Sequence, residues 1–208
     1  PPHVLIRRQR QMCIRDSIVD TNAAWMSGEF YQHGFALAKR STVGDQMNAL
    51  IEELLMLSFN YDVVIVNGGL GPTTDDMSAA AAAAASEQKL VMFPEWLDRM
   101  EEMFAGRGMP MPDSNLKQAL LPASSEIVDN PVGTACGFKL KINDATFYFT
   151  PGVPSEFKRM VTFEILPDLS RVYPQVVASE CSRLFTFGLS ESGISDAVSY
   201  THLTLPTK

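Results

Sequence analysis

Hydrophobic positions along this chain keep two rhythms. Val63 to Val66 is wholly apolar and β-branched, the pattern of a strand buried on both faces beneath helices, as in parallel sheets. Met47, Leu50, Ile51, Leu54 and Leu55 recur at helical intervals on one stripe. Trp96, Met100, Met103 and Phe104 do the same after Pro94, and such a stripe of methionine and aromatic residues predicts core, not a cofactor site. Before them, Asp20 or Thr21 caps an expected helix running to about Gln32 and ended by Gly34. Phe35 to Val43 reads as a strand, and Asp45 in the following turn is placed to cap the next helix. Ala79 to Ala85 has the highest helix propensity available. Pro110 and Pro112 then break the chain before a short helix, Ser114 to Leu121. Glu126 to Val128 reads as a short strand, and Phe138 to Ile142 pairs with Thr146 to Thr150 around Asn143-Asp144. A last long helix is expected over Ser155 to about Leu169, a further strand over Arg183 to Gly188, and the start of another element at SESGIS. Strands alternating with helices predict an α/β layered fold.

Composition sharpens this picture. The chain has 208 residues, 46% of them hydrophobic, which suits one domain or one domain plus a fragment. The net charge of -7 comes without any basic block, which argues against nucleic acid or an anionic membrane surface as partner. No apolar run is long enough to span a bilayer, so a soluble, cytoplasmic protein is expected. Cys13, Cys136 and Cys181 form no CxxC pair and no even framework, which points away from zinc and structural disulfides. Of His3, His33 and His202, the first and last lie in the chain ends, and His33 reads as a capping or surface residue. Acid–base or metal chemistry must therefore lean on carboxylates.

The ends break the pattern. Residues 1–17 carry four arginines and no clear period, and residues 197–208 also change character. MCIRDS and VSYTHLTLPTK resemble peptides translated from sequencing-library adapters, so both ends read as non-native tails. That leaves a domain over residues 18–180 and a following segment over 181–196.

Candidate chemistry gathers in two loops. After the Val63 strand come Gly68, Gly69 and Gly71, then Pro72, Thr73, Thr74, Asp75 and Asp76. Strand, glycine loop and helix bring bare amides to the positive end of a helix, where a phosphate can sit. The stretch lacks the P-loop lysine and the GxGxxG spacing, and a tight turn with Thr74 or Asp75 as N-cap is the alternative. Pro151, Gly152, Pro154, Ser155 and Glu156 repeat the arrangement after the Thr146 strand. If the two strands are neighbours, both loops face one crevice at their carboxyl ends, the place where open α/β sheets bind ligands. Asp75 and Asp76 would repel a phosphate unless one caps the helix or a divalent cation bridges carboxylate and phosphate. A hard metal held by oxygens is the natural choice, with Asp45 as a third carboxylate. Asn115 and Lys117 could orient a ribose or neutralise a phosphate, and Thr134 lies in the glycine-bearing NPVGTACGF loop.

Taken together, IVDTNAAWMS, STVGD, VVIVNGGLGPTTDD, MPDSNLKQALLP, NPVGTACGF and FTPGVPSEFKRM resemble, in order over residues 18–196, the amino-terminal, molybdopterin-binding-like domain of the CinA family, and within it the CinA-like YfaY subgroup. GGLGPTTDD and TPGVPSE are more remotely similar to loops of the MogA and MoaB molybdopterin proteins. The resemblance implies a three-layer α/β/α sandwich with a mostly parallel sheet and a nucleotide- or pterin-shaped ligand. It implies metal-dependent hydrolysis of a nucleotide diphosphate such as ADP-ribose, with Mg2+ or Co2+, or else a non-hydrolytic pterin-binding module. Asp45 and Asp76 (or Asp75) match the family's functional aspartates. Gly68, Gly69, Gly71 and Thr73 would cradle phosphates. Homo-oligomerisation stays open. The family's first strand and its G-[TD]-E-[LV] loop are replaced here by the adapter-like residues, so the first strand is expected to be missing or replaced. Family members also continue into an amidohydrolase domain that has no counterpart in this sequence.

Overall fold

The computed structural model describes the backbone of residues 3–9, 20–178, 187–188 and 190–202. Its strands are β1 (His3–Gln9), β2 (Ala36–Val43), β3 (Val63–Asn67), β4 (Leu90–Met92), β5 (Leu120–Pro122), β6 (Glu126–Val128), β7 (Gly137–Ile142) and β8 (Ala145–Thr150). The helices are α1 (Thr21–Gln32), α2 (Met47–Asn60), α3 (Ser78–Ala85), α4 (Pro94–Gly106), α5 (Pro154–Met160), α6 (Leu166–Val172) and α7 (Glu191–His202). A wider π turn, Val161–Ile165, joins α5 to α6. The expected strand over Arg183 to Gly188 lies outside the described residues.

Six strands form one sheet in the order β2-β1-β3-β8-β7-β6. The first four run parallel, and β7 is antiparallel to both its neighbours. The alternation of β3 explains the layers. Val64 and Val66 enter one core with Leu50, Leu54 and Leu57 of α2, Ala81, Ala82 and Ala85 of α3, and Trp96 and Met100 of α4. Val63 and Ile65 enter the other with Met26 and Phe30 of α1, Phe157 and Met160 of α5, and Leu166 and Leu169 of α6. The sheet is thus covered on both faces, the three-layer α/β/α arrangement expected. Of the α4 stripe, Trp96 and Met100 are core as expected, while Met103 and Phe104 are only half-buried. Among the described residues no helix is long and apolar enough to cross a membrane.

The first strand is replaced, one of the two outcomes expected: β1, from the adapter-like end, lies in its slot and runs on through Arg7 and Arg8, paired with β2 on one side and β3 on the other. Backbone amides and carbonyls build a ladder whatever the side chain, so a charged segment still completes the sheet. Several local expectations are corrected. The Ser114 helix is a tight 3-10 turn over Asp113–Ala119, and the residues after it pair as β5 with β4, strands too short to leave a periodic signal. Asp45 does not cap α2, whose N-cap is Gln46 without a side-chain bond. Asp20 does cap α1, accepting from the Ala23 amide, and His33 closes that helix with a ring nitrogen against the Glu29 carbonyl at 2.8 Å.

Candidate functional site

The condition set by the two loop motifs is met. β3 and β8 are parallel neighbours, with Asn67 beside Thr150 in register. Their following loops therefore leave the sheet side by side. Gly68 donates its amide to the Thr150 carbonyl at 2.8 Å, and a Cβ placed on Gly152 would stand 3.6 Å from the Gly68 Cα. Gly68 and Gly69 have φ of +99° and +74°, a region that L side chains rarely adopt. Ser78 of α3 donates its hydroxyl to the Gly68 carbonyl and its amide to the Gly69 carbonyl, tying the loop to the helix. A Cβ at Gly71 would run into the Asp76 carboxylate.

Neither Thr74 nor Asp75 caps α3, which starts at Ser78 after an N-cap, Met77, that makes no side-chain bond. Asp76 instead turns back on its own loop: Oδ2 accepts from the Thr73 amide at 3.1 Å and from the Thr73 hydroxyl at 2.5 Å. The Thr73 hydroxyl is also the main cause that holds the Asp75 carboxyl below its ordinary value, with its own backbone and Lys117 adding to it. Lys117 reaches the loop, donating to the Thr73 carbonyl. Its neighbour Gln118, which the sequence reading passed over, donates to the Leu70 carbonyl at 3.1 Å and accepts from Asn115 at 2.8 Å. Asn115 thus braces Gln118, and Lys117 is the member of the pair that meets the loop. A cavity of about 50 Å³ lies here, walled by Gly69, Gly71, Asp76, Lys117, Gln118 and Cys136. Burial pushes the Cys136 thiol well up, so it sits there as a neutral wall.

The second loop is held from the other side. Glu156, in the first turn of α5, accepts from Asn130 at 2.7 Å and lies where a Cβ on Gly133 would be. Asn130, fully buried, also donates to the Ala135 carbonyl and accepts from the amides of Val132 and Gly133. Glu156 therefore clamps the NPVGTAC loop. Thr134 lends its carbonyl to Trp96 Nε1 at 3.1 Å. Pro151 is buried, whereas Gly152, Pro154 and Ser155 are exposed at the crevice.

The metal set fares differently. Asp45 lies just past β2, two strands from β3 in the sheet order. Among the described residues no three His, Cys, Asp or Glu side chains gather to hold a metal ion. Asp45, Asp75 and Asp76 therefore do not form a ready three-carboxylate site.

Buried asparagines were also missed. Asn67, Asn22 and Asn130 are 1%, 5% and 0% exposed. A polar residue ending an apolar strand, as Asn67 ends VVIVN, is the sequence signal that could have found the first of them.

The model of the family described as "Probable molybdopterin binding domain" matches residues 10–171. The chain belongs to this family. Within it the chain is CinA-like. It is 49% identical over 179 residues to a CinA-like protein of Shewanella loihica, covering 86% of this chain and 42% of that protein. It is 50% identical over 185 residues to the NMN amidohydrolase-like protein YfaY of Escherichia coli K12, covering 89% of this chain and 46% of that one. The chain thus spans less than half the length of these curated relatives. Among solved structures, CinA of Thermoplasma acidophilum superposes with a TM-score of 0.71 at 24% identity, over 82% of this chain and 97% of that one. The molybdopterin biosynthesis enzyme MoaB of Thermus thermophilus superposes at 0.56 and 15%, over 88% and 100%. At these identities the superpositions show that this molybdopterin-binding-like domain has the family fold.

Proposed function

We propose that the crevice at the carboxyl ends of β3 and β8 binds the diphosphate of a nucleotide such as ADP-ribose and supports its hydrolysis. The observation that carries this reading is the parallel β3–β8 pairing, which sets the Gly68–Gly71 and Pro151–Pro154 loops in contact. Gly68 spends its amide on Thr150, whereas the glycines at 69 and 71 put no side chain between their amides and phosphate oxygens, and Lys117 supplies a cation at the same loop. Asp76 is turned into the loop by Thr73, which lessens the repulsion an incoming anion would meet. Asp75, held ionised, is a poor general base and suits a role as fixed charge and acceptor. Mg2+ or Co2+ enters this reading as an ion arriving with the nucleotide, since the carboxylates do not form a resident cage. The test is incubation with ADP-ribose, with and without Mg2+ or Co2+, following AMP release. Asp76→Asn should lose turnover and keep the fold. No AMP release under any metal, together with no ADP-ribose binding, would sink the proposal.

A second reading is a non-hydrolytic module that holds a pterin. The family description favours it. Binding of a fluorescent pterin at the same loops, with ADP-ribose ignored, would be its signature.

A further inference from the structure

Two buried amides lie under the junction of the two loops. Asn67 is the last residue of β3 and Asn22 the second of α1. Asn22 Nδ2 donates to Asn67 Oδ1 at 3.1 Å and to the Gly152 carbonyl at 3.0 Å. Asn67 Nδ2 donates to the Pro151 carbonyl at 2.7 Å and to Thr150 Oγ1 at 3.4 Å. Thr150 passes the chain back to β3 through its hydroxyl, which donates to the Val66 carbonyl at 3.0 Å. The two side chains thus grip both residues at the bend of the second loop, from a base that also carries the first. Asn22 Oδ1 is buried and accepts no hydrogen bond from any described residue. An acceptor left dry costs stability, so packing alone does not account for an asparagine at this position; its two donors do.

We infer that Asn22 and Asn67 are positioning residues that set the spacing between the glycine loop and the Pro151–Pro154 loop, so that a ligand with two phosphates can bridge them. This rests on the diphosphate reading of the crevice. Either loop can meet a single phosphate with its own amides. A diphosphate must meet both at a fixed separation, and a misplacement of the order of 1 Å is felt in such a site. The pair acts through Pro151 and Gly152 and need not touch the ligand.

The test compares inorganic phosphate with inorganic pyrophosphate on the whole chain, by calorimetric titration of wild type, Asn22→Ala, Asn22→Asp and Asn67→Asp. Asn22→Asp keeps the size and removes both donors; Asn67→Asp keeps the acceptor for Asn22 and loses the grip on Pro151. Each variant should bind pyrophosphate about tenfold more weakly, the factor that one ordinary hydrogen bond represents, while phosphate binding moves less than about twofold. A purely structural role would lower the melting temperature and leave the ratio of the two affinities unchanged, and that outcome overturns the inference. A variant too unstable to titrate is replaced by Asn22→Gln, whose longer amide keeps the donors at a changed distance and should shift the same ratio. If wild type binds pyrophosphate no better than phosphate, the spacing role fails even where ADP-ribose binding holds. If wild type binds neither anion nor ADP-ribose, the diphosphate reading fails first.

Discussion

Removing the Asp168 carboxylate should cost this domain a pH-dependent share of its stability. Asp168 sits in α6 and is 14% exposed at its side chain. It accepts from Lys139 Nζ at 2.8 Å, from the Tyr148 hydroxyl at 2.7 Å and from the exposed Arg171. Burial pushes its pKa up, but the bonds from Lys139, Tyr148 and Arg171 outweigh that and bring it from 3.8 down to about 2. Burial and the same contact raise the Tyr148 hydroxyl well above its usual range. A shift of that size corresponds to roughly 2.4 kcal/mol undiscounted, and partial solvent screening reduces it to about 1–2 kcal/mol. Counting contacts gives a similar figure. The buried tyrosine hydroxyl contributes about 1 kcal/mol, the half-buried lysine pair about as much, and the exposed arginine a few tenths. Because the folded pKa is depressed, this stability is present above the unfolded value and is lost as pH falls through the folded one. By linkage about half remains near pH 3 and nearly all is present near pH 7. Asp168→Ala should therefore melt roughly 2–8 °C below wild type near pH 7, with the gap narrowing to about half of that near pH 3. Thermal melts by circular dichroism across that range measure it. A gap that stays constant with pH would show that lost packing, not the ionised carboxylate, sets the cost.

Four further outcomes are expected. Gly69→Val should fold yet lose pyrophosphate and nucleotide binding, because its φ of +74° disfavours a β-branched residue and a side chain would cover the amides; titration decides it. Gly137→Ala should destabilise by about 2 kcal/mol or more, since its Cβ would meet Met160 Cε and two β-strand carbonyls at 3.0 and 3.1 Å, and urea unfolding reads the loss. Lys117→Met should weaken pyrophosphate binding about tenfold with little change in melting temperature, and its effect should shrink at high salt. Arg7→Val combined with Arg8→Ile should raise the melting temperature by several degrees, because both residues lie in a strand paired on each side; no change would show that the charges cost nothing there.

Where the sequence spoke clearly, it did so through periodicity that survives tertiary context. The double burial of Val63 to Val66 and the stripes of α2 and α4 each found their layers. The pairing of β3 with β8 is only a condition at the level of sequence, because strands whose ends lie 83 residues apart carry no local sign of adjacency. Capping was less legible. Thr73 satisfies Asp76 inside the loop, and the N-cap position of α3 falls to Met77, further along the chain than Thr74 or Asp75. At the first strand the sequence leaves missing and replaced as alternatives, because arginines hide the pairing of a backbone that in fact joins both neighbours. Glu156 and Asn115 read as ligand groups, and each also makes a hydrogen bond within the protein, to Asn130 and to Gln118, whose burial no local pattern announces.

The seam between β3 and β8 also fixes when a binding site can exist at all. Asn22, Asn67 and Gly152 are joined by hydrogen bonds spanning 45 and 130 residues of chain. During synthesis the glycine loop emerges long before its counterpart, and it has no second wall until β8 has been made and has docked. Docking β8 closes a long loop and is among the slower steps for a chain of this topology. A ligand that bridges the two loops therefore binds late-formed structure and, by mass action, holds that last joint shut. Ligand affinity in a growing or truncated chain would act as a clock for the completion of the sheet.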